Sequence, residues 1–161
     1  MIAPMRRSDR ALDEAQCNDI LSAGEYGVLS LVAAPGRLAE KALPYGVPVS
    51  YALLDGSIVF HCAPEGLKVS LMRAEEWASF CVVGRTRVIP GKFTTLWESV
   101  LVQGPVRELH GEEKIAALRR LAVKYLNHDA AKTDAYIEKT GLKVAVYAIG
   151  MEHVTGKGRL S

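Results

Sequence analysis

No stretch of this chain approaches the run of about 20 apolar residues needed to cross a bilayer as a helix, which excludes a helical membrane protein. Charge of one sign is also lacking. Twenty Lys+Arg against 18 Asp+Glu leave a formal +2 over 161 residues. That is too weak to argue for nucleic acid, and no basic stripe with interleaved aromatics is present. Cysteine is scarce: Cys17, Cys62 and Cys81 are odd in number and lack metal-ligand spacing. A disulfide framework and a zinc site are therefore not expected. Behind Arg6, Arg7 and Arg10 no apolar segment follows, so a secretory signal is not expected either. A Gly-rich dinucleotide fingerprint is missing, so a nicotinamide would bind only transiently. These absences lead to the expectation of a soluble, cytoplasmic protein with reduced thiols.

What is present is enough apolar material for one core. The chain is 49% hydrophobic and 24% charged, the composition of a globular protein. For its mass, surface scaling gives roughly 7,900 Å² exposed when folded, with about 69% of the chain surface hidden. Two separate domains would each be small, so residues 1–161 read as one domain. Residues 1–12 read as an extended arm, and residues 152–161 as a tail.

Asp13 as N-cap and Gly24 as a stop predict a short helix over Asp13–Ser22. Apolar, β-branched runs predict strands at Tyr26–Ala33, Tyr45–Leu54, Ser57–Cys62, Trp77–Gly84, Leu96–Leu109 and Lys143–Met151. Asp55-Gly56 is the strongest hairpin signal. Pro48 argues for an edge or interruption in its strand. Helices are expected at Leu67–Arg73, at Glu112–Leu126, where Ile115, Leu118, Leu121 and Ala122 share a face, and at His128–Thr140. About six strands with few helices predict a mainly β fold, an antiparallel barrel with flanking helices. The runs VLSLV and VAVYAI are apolar on both faces, and so few helical residues cannot wrap a barrel. A homodimer burying one sheet face is expected.

The segment from Phe60 to Lys68 carries the most chemistry. A strand ends at His61, the chain turns through Gly66, and a helix starts with Lys68 in its first turn. Free N–H groups at a helix N-terminus suit an anion, phosphate above all; Lys68 adds a charge and His61 a switchable donor. The plainer reading is that Gly66 only permits the turn, Lys68 is solvated and His61 is a satisfied structural residue. Cys62 alternates to the other strand face and reads as packing.

The motifs taken in order resemble a known family. They are Met5-Arg6-Arg7 with Asp9-Arg10, Pro44 to Tyr51, the His61–Lys68 loop, Trp97-Glu98-Ser99-Val100, Glu113-Lys114 with Ala117-Leu118 and Lys124-Tyr125, and Thr155-Gly156-Lys157. The sequence resembles the flavin-binding split β-barrel proteins related to pyridoxamine 5'-phosphate oxidase, in particular the nitroimidazole-resistance reductase branch. The resemblance runs from Met5 to about Lys157. It implies a six-stranded antiparallel split β-barrel, a homodimer, and FMN or occasionally FAD bound between subunits. Val47, Pro48, Val49, Ser50 and Tyr51 match the strand whose main chain lies along the isoalloxazine ring. His61 and Lys68 match positions that border the ring and hold the phosphate, with Gly66 in the same loop. Ser99 matches a polar contact from an adjoining strand, and Lys157 a segment reaching over from the partner subunit.

Two departures limit the analogy. Oxidases of pyridoxamine phosphate proper carry an arginine-rich strand before the flavin and a tryptophan in the C-terminal segment; Val47–Tyr51 has no arginine and the tail no tryptophan. Trp97 stands where the nitroimidazole branch has tyrosine. The resemblance implies a two-electron cycle from reduced nicotinamide (NADH or NADPH) to flavin to a small-molecule acceptor such as a nitroaromatic. His61 is the candidate catalytic residue, orienting the acceptor or donating a proton. Trp97 and Tyr51 either stack on the ring or fill the core. A haem-handling protein using His61 or His153, and a non-catalytic flavin carrier or sensor, are the rivals.

Overall fold

The computed structural model describes residues 5–36, 40–126, 130–141 and 143–160. A 3-10 turn (Ser8–Arg10) leads into the short strand β1 (Ala11–Leu12), and Asp13 then caps α1 (Glu14–Ala23). Its carboxylate accepts from Gln16 N at 2.8 Å while the Gln16 side chain accepts from Asp13 N at 3.0 Å, a closed capping box. The strand β2 (Tyr26–Ala33) follows, with Leu29, Leu31 and Ala33 turned inward. The next apolar run is divided at Tyr51 into β3 (Leu43–Ser50) and β4 (Ala52–Leu54). Asp55 (φ 46°) and Gly56 (φ 70°) then adopt the two left-handed conformations of a type I′ hairpin into β5 (Ser57–Cys62).

The helix α2 (Leu67–Ala74) buries Val69, Leu71 and Met72 in the barrel core. Strands β6 (Trp77–Ile89) and β7 (Thr94–Glu108) form a hairpin longer than the apolar pattern predicts. Its outer end, beyond a register shift between Val83 and Thr86, mixes Arg85, Arg87 and Lys92 with exposed Val88 and Phe93, so it shows no regular apolar pattern. At that shift Glu98 is buried and accepts from Arg85 N at 3.1 Å and Arg85 Nε at 3.0 Å. Two helices, α3 (Gly111–Tyr125) and α4 (Ala130–Thr140), precede β8 (Ala145–Gly150) and β9 (His153–Arg159). The expected helix start at His128, the first four residues of the arm and the last residue of the tail lie outside the described residues. No helix is long and apolar enough to cross a membrane among the described residues.

All pairings are antiparallel, in the order β3-β2-β6-β7-β8-β5-β4. Since β3 and β4 are one segment interrupted at Tyr51, the ladders end on the strand where they began. They close a six-stranded antiparallel split β-barrel, as expected from the sequence. The segment that reads as a tail carries the strand β9. It continues β8 along the same edge of β7 and carries β1 on its other side. Between the pairs Gln103–His153 and Val106–Ile149, β7 has two residues and the opposing segment three. This bulge bends the strand opposite Gly104-Pro105.

One apolar cluster fills the barrel and reaches α1 and α2; a second lies between the outer face of β4, β5 and β8 and the helices α3 and α4. The second cluster explains why β8 is apolar on both faces: Tyr147 and Ile149 point into the barrel, Val146 and Ala148 lie under the helices. The outer face of β2 and β6 has no such cover. Val32 (52%) and Val83 (58%) stand exposed there.

Candidate functional site: a fork in the barrel wall

The division of one strand into β3 and β4 creates the site. Pairs Ala52–Val59, Leu53–Ile58 and Leu54–Ser57 set the register of β4 on β5. Continued for two more residues, that ladder would place Tyr51 opposite Phe60 and Ser50 opposite His61. It stops instead. From Ser50 backward β3 pairs with β2, while Phe60, His61 and Cys62 pair only with β8. Two strand edges therefore diverge from Tyr51. On one side lies the main chain of Val47, Pro48, Val49 and Ser50; on the other lies the end of β5. Pro44 and Pro48, which cannot donate to a ladder, are tolerated at such an edge. Val47 and Val49 turn inward against the core, and Pro48 and Ser50 are exposed outward.

The apex of the fork is held by the end of α3. Tyr51 N–H, which has lost its strand partner, donates to the Tyr125 hydroxyl at 3.0 Å, and that hydroxyl also reaches Tyr51 O at 3.0 Å and the carbonyl of Glu25. One side chain thus satisfies main-chain groups that the split would orphan. The Tyr51 ring is fully buried, its hydroxyl donates to Leu21 O, and Lys124 Nζ sits 4.1 Å from the ring centroid. Of the two roles open to its side chain, it fills the core. Replacing Tyr125 with Phe should cost about 1–3 kcal/mol of stability, the penalty for main-chain groups left without a partner, read as a lower urea midpoint at unchanged m.

Beyond the fork, β5 ends with His61 and Cys62, and the loop Ala63–Gly66 leads into α2. Gly66 adopts φ +113°, a region L side chains rarely enter, and no side chain caps the helix. The first amide groups of α2 are thereby left for a ligand, with the half-buried Lys68 among them. His61 lies near Lys68. Desolvation, and then the Lys68 charge, pull its pKa below 6.5, although the ring edge remains exposed. Its Nε2 is 3.2 Å from the Tyr136 hydroxyl on α4. Cys62 faces inward as its alternation predicts, and burial raises its thiol pKa.

The topology thus places Val47–Ser50 on one edge of the fork and His61, followed by the loop to Gly66 and Lys68, at the end of the other. It does not bring Ser99 and Lys157 there. They are register partners on β7 and β9, and β2 and β6 lie between them and β3. Within one chain, β7 is therefore not the strand beside the fork that the resemblance implied for Ser99. Trp97 pairs with Arg159 on the long hairpin, away from the fork. Sequence reasoning did not assign roles to Tyr125 or Tyr136. Tyr125 was visible within the Lys124-Tyr125 motif; Tyr136, 75 residues from His61 in the chain, left no signal.

The donor set fits a flat, phosphate-bearing group: an unpaired main-chain edge, an uncapped helix start and a lysine. Comparisons with known proteins show the same fold. Solved structures with the same fold include a protein of Bacteroides thetaiotaomicron ascribed to 5-nitroimidazole antibiotic resistance (18% identity, 92% of this chain and 86% of that one, TM-score 0.73). Another is a FAD-binding protein of Mesorhizobium loti (23% identity, 93% and 97%, TM-score 0.61). A third is a FAD and heme binding protein of Mycobacterium smegmatis (14% identity, 92% and 72%, TM-score 0.77). No curated protein matches the sequence. The model of the pyridoxamine 5'-phosphate oxidase family matches residues 13–158, nearly the whole chain, and the protein belongs to that family.

Proposed function

We propose that this protein is a homodimeric flavoprotein that binds FMN in the fork and reduces a small-molecule acceptor, such as a nitroaromatic, at the expense of reduced nicotinamide. The observation that carries this reading is the divergence of β3 and β5 at Tyr51 beside an uncapped helix bearing Lys68. The main chain of Val47–Ser50 borders the ring, and Lys68 with the start of α2 takes the phosphate. A bound flavin supplies hydride acceptance and release; the protein supplies position, charge and access. His61 lies at the mouth, where it orients the acceptor.

The dimer is supported by the bare outer sheet. The chain exposes 10164 Å², against roughly 7,900 Å² for a compact monomer of this mass. Tyr26, Val32, Trp77 and Val83 contribute to that surface. In such a dimer, Ser99 and Lys157 would reach the fork of the other copy, since within one chain they stand away from it. Between flavin and haem, the uncapped start of α2 with Lys68 favours flavin, because such a place suits a phosphate.

The purified protein is expected to be yellow, with a flavin spectrum and no Soret band, and to run at twice the 17.5 kDa chain mass in light scattering. Mass spectrometry of the cofactor released by heat should identify FMN. Anaerobic NADH or NADPH should bleach the flavin band, and a nitroaromatic should restore it. A colourless protein that takes up no added FMN overturns the reading; a flavin that stays oxidised reduces it to a carrier.

A further inference from the structure

The fork leaves Trp97, singled out by its sequence motif, without a role. It lies near the outer end of the long hairpin, opposite Thr86 of β6 on one side and Arg159 of β9 on the other. There three distant parts of the chain line one open cavity of about 840 Å³. Arg10 comes from the turn before β1, Val88, Phe93, Thr95 and Trp97 from the hairpin, and Arg159 from the end of β9. The cavity shares no residue with the fork. Among the described residues that line it, the two arginines are the only charged side chains. Asp9, the carboxylate beside Arg10 in sequence, is held by Arg7 at 2.7 Å. Arg159 has a neutral partner, donating from Nη1 to Thr94 Oγ1 at 2.5 Å. No carboxylate pairs with Arg10 or Arg159, and no aromatic ring stacks on Trp97, among the described residues.

Two guanidinium groups that line one cavity without a counter-charge repel each other. A bound polyanion turns that cost into attraction, and a phosphate offers each planar set of N–H donors a matching pair of oxygens. Two unpaired cations call for at least two negative charges, which favours phosphate over a single carboxylate. Beside the charge lies apolar surface: the unstacked indole of Trp97 and the wholly exposed Phe93. Phe93 is held at φ 23°, a strained backbone of the kind that collects at ligand clamps. We propose that this cavity is a second ligand site, apart from the fork, for a planar ring carrying phosphates, of the nucleoside diphosphate class. Arg10 and Arg159 hold the phosphates, and Trp97 offers a face to the base. Stacking on an indole is tolerant of base identity, so the site selects the class of ligand and not the base. Its volume is that of ordinary small-molecule sites. The proposal does not rest on the flavin reading above.

The test titrates ADP, adenosine and inorganic pyrophosphate into the full-length protein by calorimetry. ADP should bind, and more tightly than either fragment. Arg10→Gln and Arg159→Gln should each weaken ADP about ten-fold or more, the worth of a charge-assisted hydrogen bond, and the difference should shrink in high salt. Trp97→Leu should weaken ADP about ten-fold and leave pyrophosphate unchanged, because only the base loses its platform. Lys68→Ala, which removes the charge beside the fork, should leave ADP affinity as in wild type. Arg159 also braces β9 against the hairpin through Thr94, so Arg10→Gln, which keeps that bond, is the decisive variant. Absence of ADP binding, or an affinity untouched by Arg10→Gln, overturns the proposal. A loss of ADP affinity in Lys68→Ala equal to that in Arg10→Gln also overturns it, by placing the nucleotide at the fork. So does an equal loss of ADP and pyrophosphate in Trp97→Leu, since the indole would then act on the hairpin and not on the base.

Discussion

Replacing Gly104 with alanine is expected to lower the stability of this protein by about 3 kcal/mol or more, the upper range for a single added methyl group. Gly104 lies in β7 opposite the bulge that joins β8 to β9. A Cβ at that position would stand 1.8 Å from the carbonyl oxygen of Gly150 and 2.8 Å from its carbon. Both are main-chain atoms of a paired strand, so no rotamer change relieves the overlap; two backbones must separate. For a chain of this length that loss corresponds to a drop in Tm of about 6–12 °C. Gly46→Ala is the control. Its added Cβ would meet only Val28 Cγ1, at an ordinary 3.7 Å, and its effect should stay within about 0.5 kcal/mol. Equal Tm values for the two variants would show that the close approach of β7 to Gly150 does not exist in solution.

The second large effect concerns the ligand. Lys68→Ala should weaken FMN binding by about 10- to 100-fold, because a charge-assisted hydrogen bond contributes about 1.5–3 kcal/mol. Lys68 lies in the first turn of a helix that no side chain caps, two residues after a glycine held at φ +113°. The variant removes the point charge and leaves the open amide groups, so binding is reduced and not abolished. Riboflavin affinity should be unchanged, and the loss for FMN should shrink in high salt as the charge is screened. An equal loss for both flavins would mean that the substitution disturbs the fork itself. No loss for FMN would place the phosphate elsewhere. Because Lys68 is half-buried at the end of the barrel, the melting temperature of the ligand-free variant should be measured beside the affinities.

These two tests bear on different levels of the molecule. Gly104 reports on how the barrel closes, and Lys68 on what the open side of the barrel is for. The Tyr125→Phe variant joins them. Its hydroxyl holds both main-chain groups of Tyr51 at the point where β3 leaves β5, so its loss should loosen the fork from its apex.

Much of this protein is determined locally and is legible in the order of its residues. Asp13 with Gln16 fixes the start of α1, Asp55-Gly56 fixes a type I′ turn, and alternating or continuous apolar runs fix β2 and β5 to the residue. The His61–Lys68 loop reads as a candidate anion site because a glycine, a helix start and a lysine are neighbours in sequence. What lay beyond reach was every feature settled by a distant partner. Tyr51 looks like the middle of one strand; only the competition between β2 and β5 for its two sides divides that strand and opens the fork. The tail looks like a polar, glycine-containing end, yet the free edge of β7 makes it the strand β9 through main-chain hydrogen bonds that carry no side-chain signature. Ser99 and Lys157 match flavin contacts by resemblance but stand across the sheet from the fork within one chain. Propensity and pattern act over a few residues and so set the elements. Which edges find partners, and which stay open for a ligand, is decided only when the whole ring has formed.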